Sequence, residues 1–308
     1  MSTNAIQSSH IYSTYFAPRG RSRIYTLGMQ IAQLYLSPFD QIIGFIGEAG
    51  SGKSVLIKGM FPGIELTNDD DGVNVRPLPL LEQEYETGFF TPHTYHLDIR
   101  FETGFHQLSE LADAVRLAVR RGKRIIIEHF DLIYPLLGVN ANLLIGVGEQ
   151  IVITRPNLFG PLPQELCDIV YPSLAYRLMA HSAEDLCEYA MTQEQMLACS
   201  HGDIRHGFVL EFSEHQPDID IPTLEARVNE LIRQDLPIDY YDESHILLGG
   251  AQHYCTGPRT HVRSTGRIIG FRLLDHFIYD HFHKTYMLVG CVGDDSEENI
   301  RKLEKIHG

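Results

Sequence analysis

The chain has 308 residues, with 40 acidic against 25 basic side chains and a formal net charge of −15. That balance disfavours a broad nucleic-acid surface, because neutralising phosphate takes Lys and Arg. A hydrophobic share of 44% is that of a globular protein long enough for two cores, and no apolar run approaches the roughly 20 residues that span a bilayer. The opening stretch, MSTNAIQSSHIYSTYF, holds no charged region followed by an apolar block, so no secretory leader is expected. Arg19, Arg21 and Arg23 form a first basic cluster; Arg259, Arg263, Arg267 and Arg272 form a second. Both are expected to be solvated surface. Cys167, Cys187, Cys199, Cys255 and Cys291 form no CxxC pair, which suits reduced thiols in a cytoplasmic setting.

Gln41 to Ile46 reads as a short buried strand. The glycine-rich stretch Gly47-Glu48-Ala49-Gly50-Ser51-Gly52-Lys53-Ser54 follows, fitting G-x-x-x-x-G-K-[ST] at every fixed position, and Val55 to Met60 continues as a helix. Strand, loop and helix in that order make a phosphate cradle. Gly47, Gly50, Ser51 and Gly52 would turn backbone N–H groups inward at a helix N-terminus. Lys53 would reach the terminal phosphates of ATP, and Ser54 would ligate magnesium. No N-K-x-D guanine motif is present, which favours ATP over GTP.

An acidic segment, Asn68-Asp69-Asp70-Asp71-Gly72, and a Pro-containing stretch, Arg76-Pro77-Leu78-Pro79, come next. Thr94 to Asp98 reads as a strand ending in a carboxylate. Residues 105–121 have helical periodicity, with Leu108, Leu111, Ala112, Val115 and Val119 on one face and Gly122 as the stop. Arg124 to Glu128 is a second strand ending in an acid, and Gln150 to Thr154 is a third. Strands alternating with helices imply a parallel α/β sheet. Its phosphate site lies at the carboxyl ends of the strands. Asp98 and Glu128 are therefore expected near Lys53, as catalytic carboxylates that hold magnesium through water or position an attacking water.

These pieces resemble the small ATPase subunit of the bacterial threonylcarbamoyl-adenosine tRNA-modification complex. The matching stretches are Gly47 to Ser54, His96-Leu97-Asp98-Ile99-Arg100 and Ile127-Glu128-His129, within residues 25–155. Here His129 stands where that family has tryptophan, and the tyrosine before the arginine is absent. The resemblance implies ATP binding with magnesium and slow hydrolysis.

Pro156-Asn157-Leu158-Phe159-Gly160-Pro161-Leu162-Pro163 reads as a linker, since three prolines in eight residues do not continue a helix or a central strand. Beyond it, His181 and Asp185 are four apart in a helical stretch, on one face. Far along the chain, His253, Cys255 and His261 fall in one loop region. Imidazole, thiolate and carboxylate are zinc ligands, so His181, Asp185, Cys255 and His261 form a candidate tetrahedral set, with His253 as a substitute.

Residues 255–271, CTGPRTHVRSTGRIIGF, resemble the C-x-G-x-H-V-x-x-T-G-x-I-G-x-F segment of the second additional domain of alanyl- and threonyl-tRNA synthetases. His181-Ser182-Ala183-Glu184-Asp185-Leu186 is similar to that family's H-S-A-T-H-L-L helix. Gly202 to Ser213 and Leu224 to Ile232 match two further blocks in order. Asp185 replaces the second helix histidine, and Arg259 and Thr260 lengthen the Cys-to-His spacing. The resemblance implies an α+β editing-type domain in which His181, Cys255 and His261 hold zinc or act on an aminoacyl ester.

The expected organisation is an α/β P-loop NTPase domain at 1–155, a Pro-rich linker at 156–165, and an α+β synthetase-editing-like domain at 166–308. The expected function is an ATP-binding hydrolase that handles an aminoacyl-tRNA or a free amino acid. A small-molecule kinase and a nucleotide-gated, non-enzymatic sensor of amino acid or tRNA are the alternatives.

Overall fold

In the computed structural model, residues 12–67, 78–82, 93–213 and 215–307 are described. The acidic segment at 68–72 and residues 76–77 of the Pro-containing stretch lie outside them. The chain divides into two compact units: Met1–Ala17 with Arg21–Pro172, and Pro18–Gly20 with Ser173–Gly308. Among the described residues no helix is long and apolar enough to cross a membrane.

The first unit contains β1 (Ser13–Phe16), α1 (Arg21–Tyr35), β2 (Ile42–Ile46), α2 (Lys53–Met60), α3 (Pro79–Glu82), β3 (Thr94–Asp98), α4 (Ile99–Glu102), α5 (Leu108–Arg120), β4 (Arg124–Glu128), α6 (Phe130–Leu137), β5 (Leu143–Val147) and β6 (Gln150–Thr154). Its six-stranded sheet has the order β1-β6-β5-β2-β4-β3. Pairs β2·β4, β2·β5 and β3·β4 are parallel, and β5·β6 and β1·β6 are antiparallel. This is a mixed α/β sheet, so the expectation that Gln150 to Thr154 is one of the parallel strands is corrected. Only Gly148 and Glu149 separate β6 from β5, too short for any crossover, and a connection of that length makes a hairpin.

Strands β2 and β5 are buried at every position, and β4 at all but its first, which is why they read as apolar runs. Ile42 and Ile46 of β2, with Ile125 and Ile127 of β4, join one core cluster, packed by Leu111, Val115, Phe130 and Ile133. Ile43, Phe45 and Ile126 point into the other, packed by Ile24, Leu27, Ile31, Leu56 and Ile57 of α1 and α2.

Helix α7 (Pro163–Ala190) contains the division between the units, which follows Pro172. The expected linker at 156–165 is therefore not where the chain divides. Pro163 begins the helix, because a first-turn residue has no intrahelical use for its N–H and the fixed φ of proline suits that position.

The second unit continues with α8 (Gln193–Ala198), β7 (Cys199–Ile204), β8 (Gly207–Ser213), α9 (Ile221–Arg233), β9 (Ile238–Asp242), β10 (His245–Leu248), β11 (Ala251–Tyr254), β12 (Arg272–Leu273), β13 (Ile278–Asp280), β14 (Thr285–Cys291) and α10 (Ser296–His307). One antiparallel sheet runs β12-β14-β8-β7, with β13 on β14, and a second runs β11-β10-β9. Met179, Ala183, Leu186 and Cys187 of α7 pack with Phe208, Leu210, Phe212 and Leu288 in its main core. Segregated helices and antiparallel sheets make this unit α+β.

Candidate functional site

In the first unit, the turn from β2 into α2 carries the glycine-rich loop. Gly50 and Gly52 have φ of 78° and 95°, in the left-handed region that glycine enters without steric cost. Gly52 is the N-cap of α2 and offers no side-chain acceptor to the first amides of the helix. Lys53 is buried, and its Nζ donates to the carbonyl oxygens of Gly47 at 2.9 Å and Glu48 at 2.8 Å. Ser54 Oγ donates to Glu128 Oε1 at 3.1 Å, and Glu128 Oε2 lies 3.7 Å from Lys53 Nζ.

Asp98 and Glu128 end adjacent parallel strands and face each other in register. Glu128 meets both Lys53 and Ser54. Asp98 Oδ1 accepts the Phe101 N–H at 3.1 Å and so caps α4, while its charge also acts on Lys53. His96 escaped sequence reasoning as a site residue. Its Nε2 lies 3.1 Å from Glu128 Oε1, and its Nδ1 accepts from Thr67 N at 3.1 Å. The signal was there: His96 and Asp98 are two apart on a strand and share a face.

The electrostatics follow from this packing. Burial lowers the pKa of Lys53, although Glu128 and Asp98 pull it upward. Burial pushes Glu128 upward, but His96 and Lys53 outweigh that and hold the carboxyl below its usual range. His129 caps α6 at φ 56°, a left-handed position. Burial, reinforced by Lys53, brings it down to about 4, so it stays neutral.

In the second unit, Asp185, Cys255 and His261 place their ligand atoms within 4.8 Å of one another. His261 Nε2 is 2.7 Å from Asp185 Oδ2 and 3.7 Å from Cys255 Sγ. His181, the fourth candidate, is outside that group; its Nε2 is 3.6 Å from Asp203 Oδ1. The cation among these donors is Arg19. Its guanidinium pairs with Glu184 and Asp185, and Nη2 donates to Cys255 Sγ at 3.1 Å. Gly257 N also donates to that sulfur, at 3.2 Å.

The expectation of a solvated Arg19 is thereby corrected: it is 2% exposed, whereas Arg21, Arg23 and the four arginines at 259–272 are exposed. Arg19 also bears on zinc. Two of the three converging donors already hold its positive charge, so the set as placed does not fit a metal ion unless Arg19 leaves. A second group, Glu188, Cys199 and His201, also lies within 4.8 Å, as do Asp185, Glu188 and His253. No family model matches the chain, and no curated protein matches it.

Proposed function

We propose that the chain binds ATP with magnesium at residues 47–54 of its first unit. The observation that carries this reading is the state of Lys53. A buried ammonium rests on two backbone carbonyls of its own loop, beside the first amides of the helix, and phosphate oxygens can replace those carbonyls. Ser54 and Glu128 are the oxygen donors that suit magnesium, directly or through water. When bound, magnesium supplies charge neutralisation of the phosphates. Glu128, kept ionised by His96 and Lys53, is the carboxylate placed to orient an attacking water; Asp98 adds negative charge beside it. Hydrolysis is preferred here, and transfer of labelled phosphate to a metabolite would favour the kinase reading.

The sequence likeness of residues 171–292 to synthetase editing domains supports an acyl-ligand role for the second unit. Cys255 is 1% exposed and its sulfur already accepts two donors, which favours a binding module for an aminoacyl group over nucleophilic hydrolysis. Deacylation of misacylated tRNA that is lost with Cys255→Ala would reverse that preference.

Isothermal calorimetry tests the nucleotide reading. Lys53→Ala should weaken Mg-ATP binding by about 2–4 kcal/mol, since a charge-assisted contact is lost. Equal affinity in wild type and variant would end the proposal.

A further inference from the structure

A second cluster in the α+β unit adjoins the Arg19 network, since Asp185 groups with Glu188 and His253, but it is assembled differently. Cys199 and His201 are two apart on β7 and therefore share a face of that strand. Strand β7 is the edge of its sheet. Glu188, in the last turn of α7, reaches both: its Oε1 contacts His201 Nε2 and lies 3.7 Å from Cys199 Sγ. Its Oε2 lies 4.0 Å from Nε2 of His253, on β11.

His253 supplies the independent observation. It is 8% exposed, and its Nε2 has no hydrogen-bond partner among the described residues. A buried imidazole nitrogen left without a partner is costly and calls for an unseen ligand. Tyr189 packs edge-on against the same ring, with centroids 5.8 Å apart, and holds it toward Glu188.

We propose that Glu188, Cys199, His201 and His253 hold a zinc ion. Tetrahedral bonds to oxygen and sulfur place those two ligand atoms about 3.6 Å apart, and bonds to oxygen and nitrogen place theirs about 3.3 Å apart. The Cys199–Glu188 separation already matches; the direct His201–Glu188 contact has to open, and His253, which groups with Glu188 and Asp185 through the other carboxylate oxygen, has to close on the same point. Two imidazoles, one thiolate and one carboxylate are a borderline-soft set, which selects zinc over magnesium or calcium. Glu188 contacts His201 and lies 4.0 Å from the unbonded nitrogen of His253; the charge of Arg19 reaches Glu188, but its guanidinium pairs with Glu184 and Asp185. Binding breaks the contact that Cys199 Sγ–H makes with the Met196 carbonyl and releases that proton to solvent. Four protein ligands leave no open position, so the site is structural: it ties the end of α7 and β11 to the edge strand β7.

Chelator-stripped full-length protein, titrated with zinc and separately with cobalt(II), tests this. Wild type should take up one equivalent, and the cobalt form should show a sulfur-to-cobalt charge-transfer band. The band should vanish in Cys199→Ser and persist in Cys255→Ser. Zinc affinity should fall by more than about 100-fold in Glu188→Gln and in His253→Gln, since loss of even an outer partner costs 10–100-fold. Circular dichroism identifies variants that keep the fold; should Cys199→Ser lose it, the affinity of Glu188→Gln carries the test. A folded wild type that takes up no metal, a band lost with Cys255 rather than Cys199, or an unchanged affinity in Glu188→Gln would each overturn the proposal.

Discussion

Arg19 sits among Glu184, Asp185 and Cys255, with 2% of its surface exposed. Burial alone would lower its pKa, but Glu184 and its other acidic neighbours raise it above the ordinary value, so it remains charged. Arg19→Ala would leave two carboxylates buried without their cation. Destabilisation of about 3–5 kcal/mol is expected, read as a shift of the urea midpoint. A loss under about 1 kcal/mol would mean that Glu184 and Asp185 reach water or other partners. His181 gives a pH signature in the same unit. Burial brings it down to about 3, Arg177 and Arg19 add to that, and Asp203 opposes it. The unfolded state binds the extra proton between about pH 6.5 and 3, so this residue's contribution is complete above pH 6.5 and is lost as pH falls. His181→Gln should flatten the rise of unfolding free energy with pH by up to about 1.4 kcal/mol per unit between pH 6 and 4.5. An unchanged slope would contradict a neutral His181. Of the four residues singled out by type, Asp185, Cys255 and His261 come together and His181 does not. The role of Arg19 was not legible in the sequence: more than 160 positions separate it from its carboxylates, and beside Arg21 and Arg23 it reads as surface.

Helices α1 and α2 meet through glycine. A Cβ on Gly59 would come within 2.2 Å of the Tyr25 carbonyl oxygen, and one on Gly28 within 2.5 Å of that of Leu56. Those approaches let Ile24, Leu27 and Ile31 reach Leu56, Ile57 and Met60 in one core and fix the helix that carries Lys53. In an isolated helix Gly→Ala gains about 1 kcal/mol. Here the backbone contact reverses the sign, and Gly59→Ala should destabilise the first unit by about 1–3 kcal/mol in urea unfolding. A stabilised variant would show that the helices separate without cost. Strand β3, with His96 and Asp98 in it, was read from its short length and terminal carboxylate, whereas β2 and β4 were legible because burial on both faces leaves apolar runs. Two others escaped. Leu143 to Val147 has the same composition, but only a two-residue connection follows it, and β1 is a four-residue strand with alternating burial. The N-terminal part of helix α7 was hidden by the prolines at 161, 163 and 172, since one begins the helix and another lies inside it; only the stretch around His181 was read as helical.

Each unit owns its cores: two apolar clusters belong to the first, and the clusters around Phe208 and Val209 belong to the second. Chains built this way need not unfold in a single step. A ligand stabilises the unit that binds it, by RT ln(1 + [L]/Kd), or about 2.7 kcal/mol at a hundredfold excess over Kd. For units near 150 residues, that raises a melting transition by roughly 5–11 °C. Scanning calorimetry of chelator-stripped protein should therefore give two transitions. Mg-ATP should raise one of them, and Lys53→Ala should abolish that shift. Zinc should raise the other, and Glu188→Gln should abolish that one. The variants assign each transition without any truncation, so the full chain serves throughout. Each ligand is expected to raise a different transition of the same scan. A single transition raised by both ligands would mean that the cores unfold as one cooperative block. Two transitions both raised by Mg-ATP alone would mean that nucleotide binding in the first unit stabilises the second, and that the unit-by-unit linkage expected here is wrong.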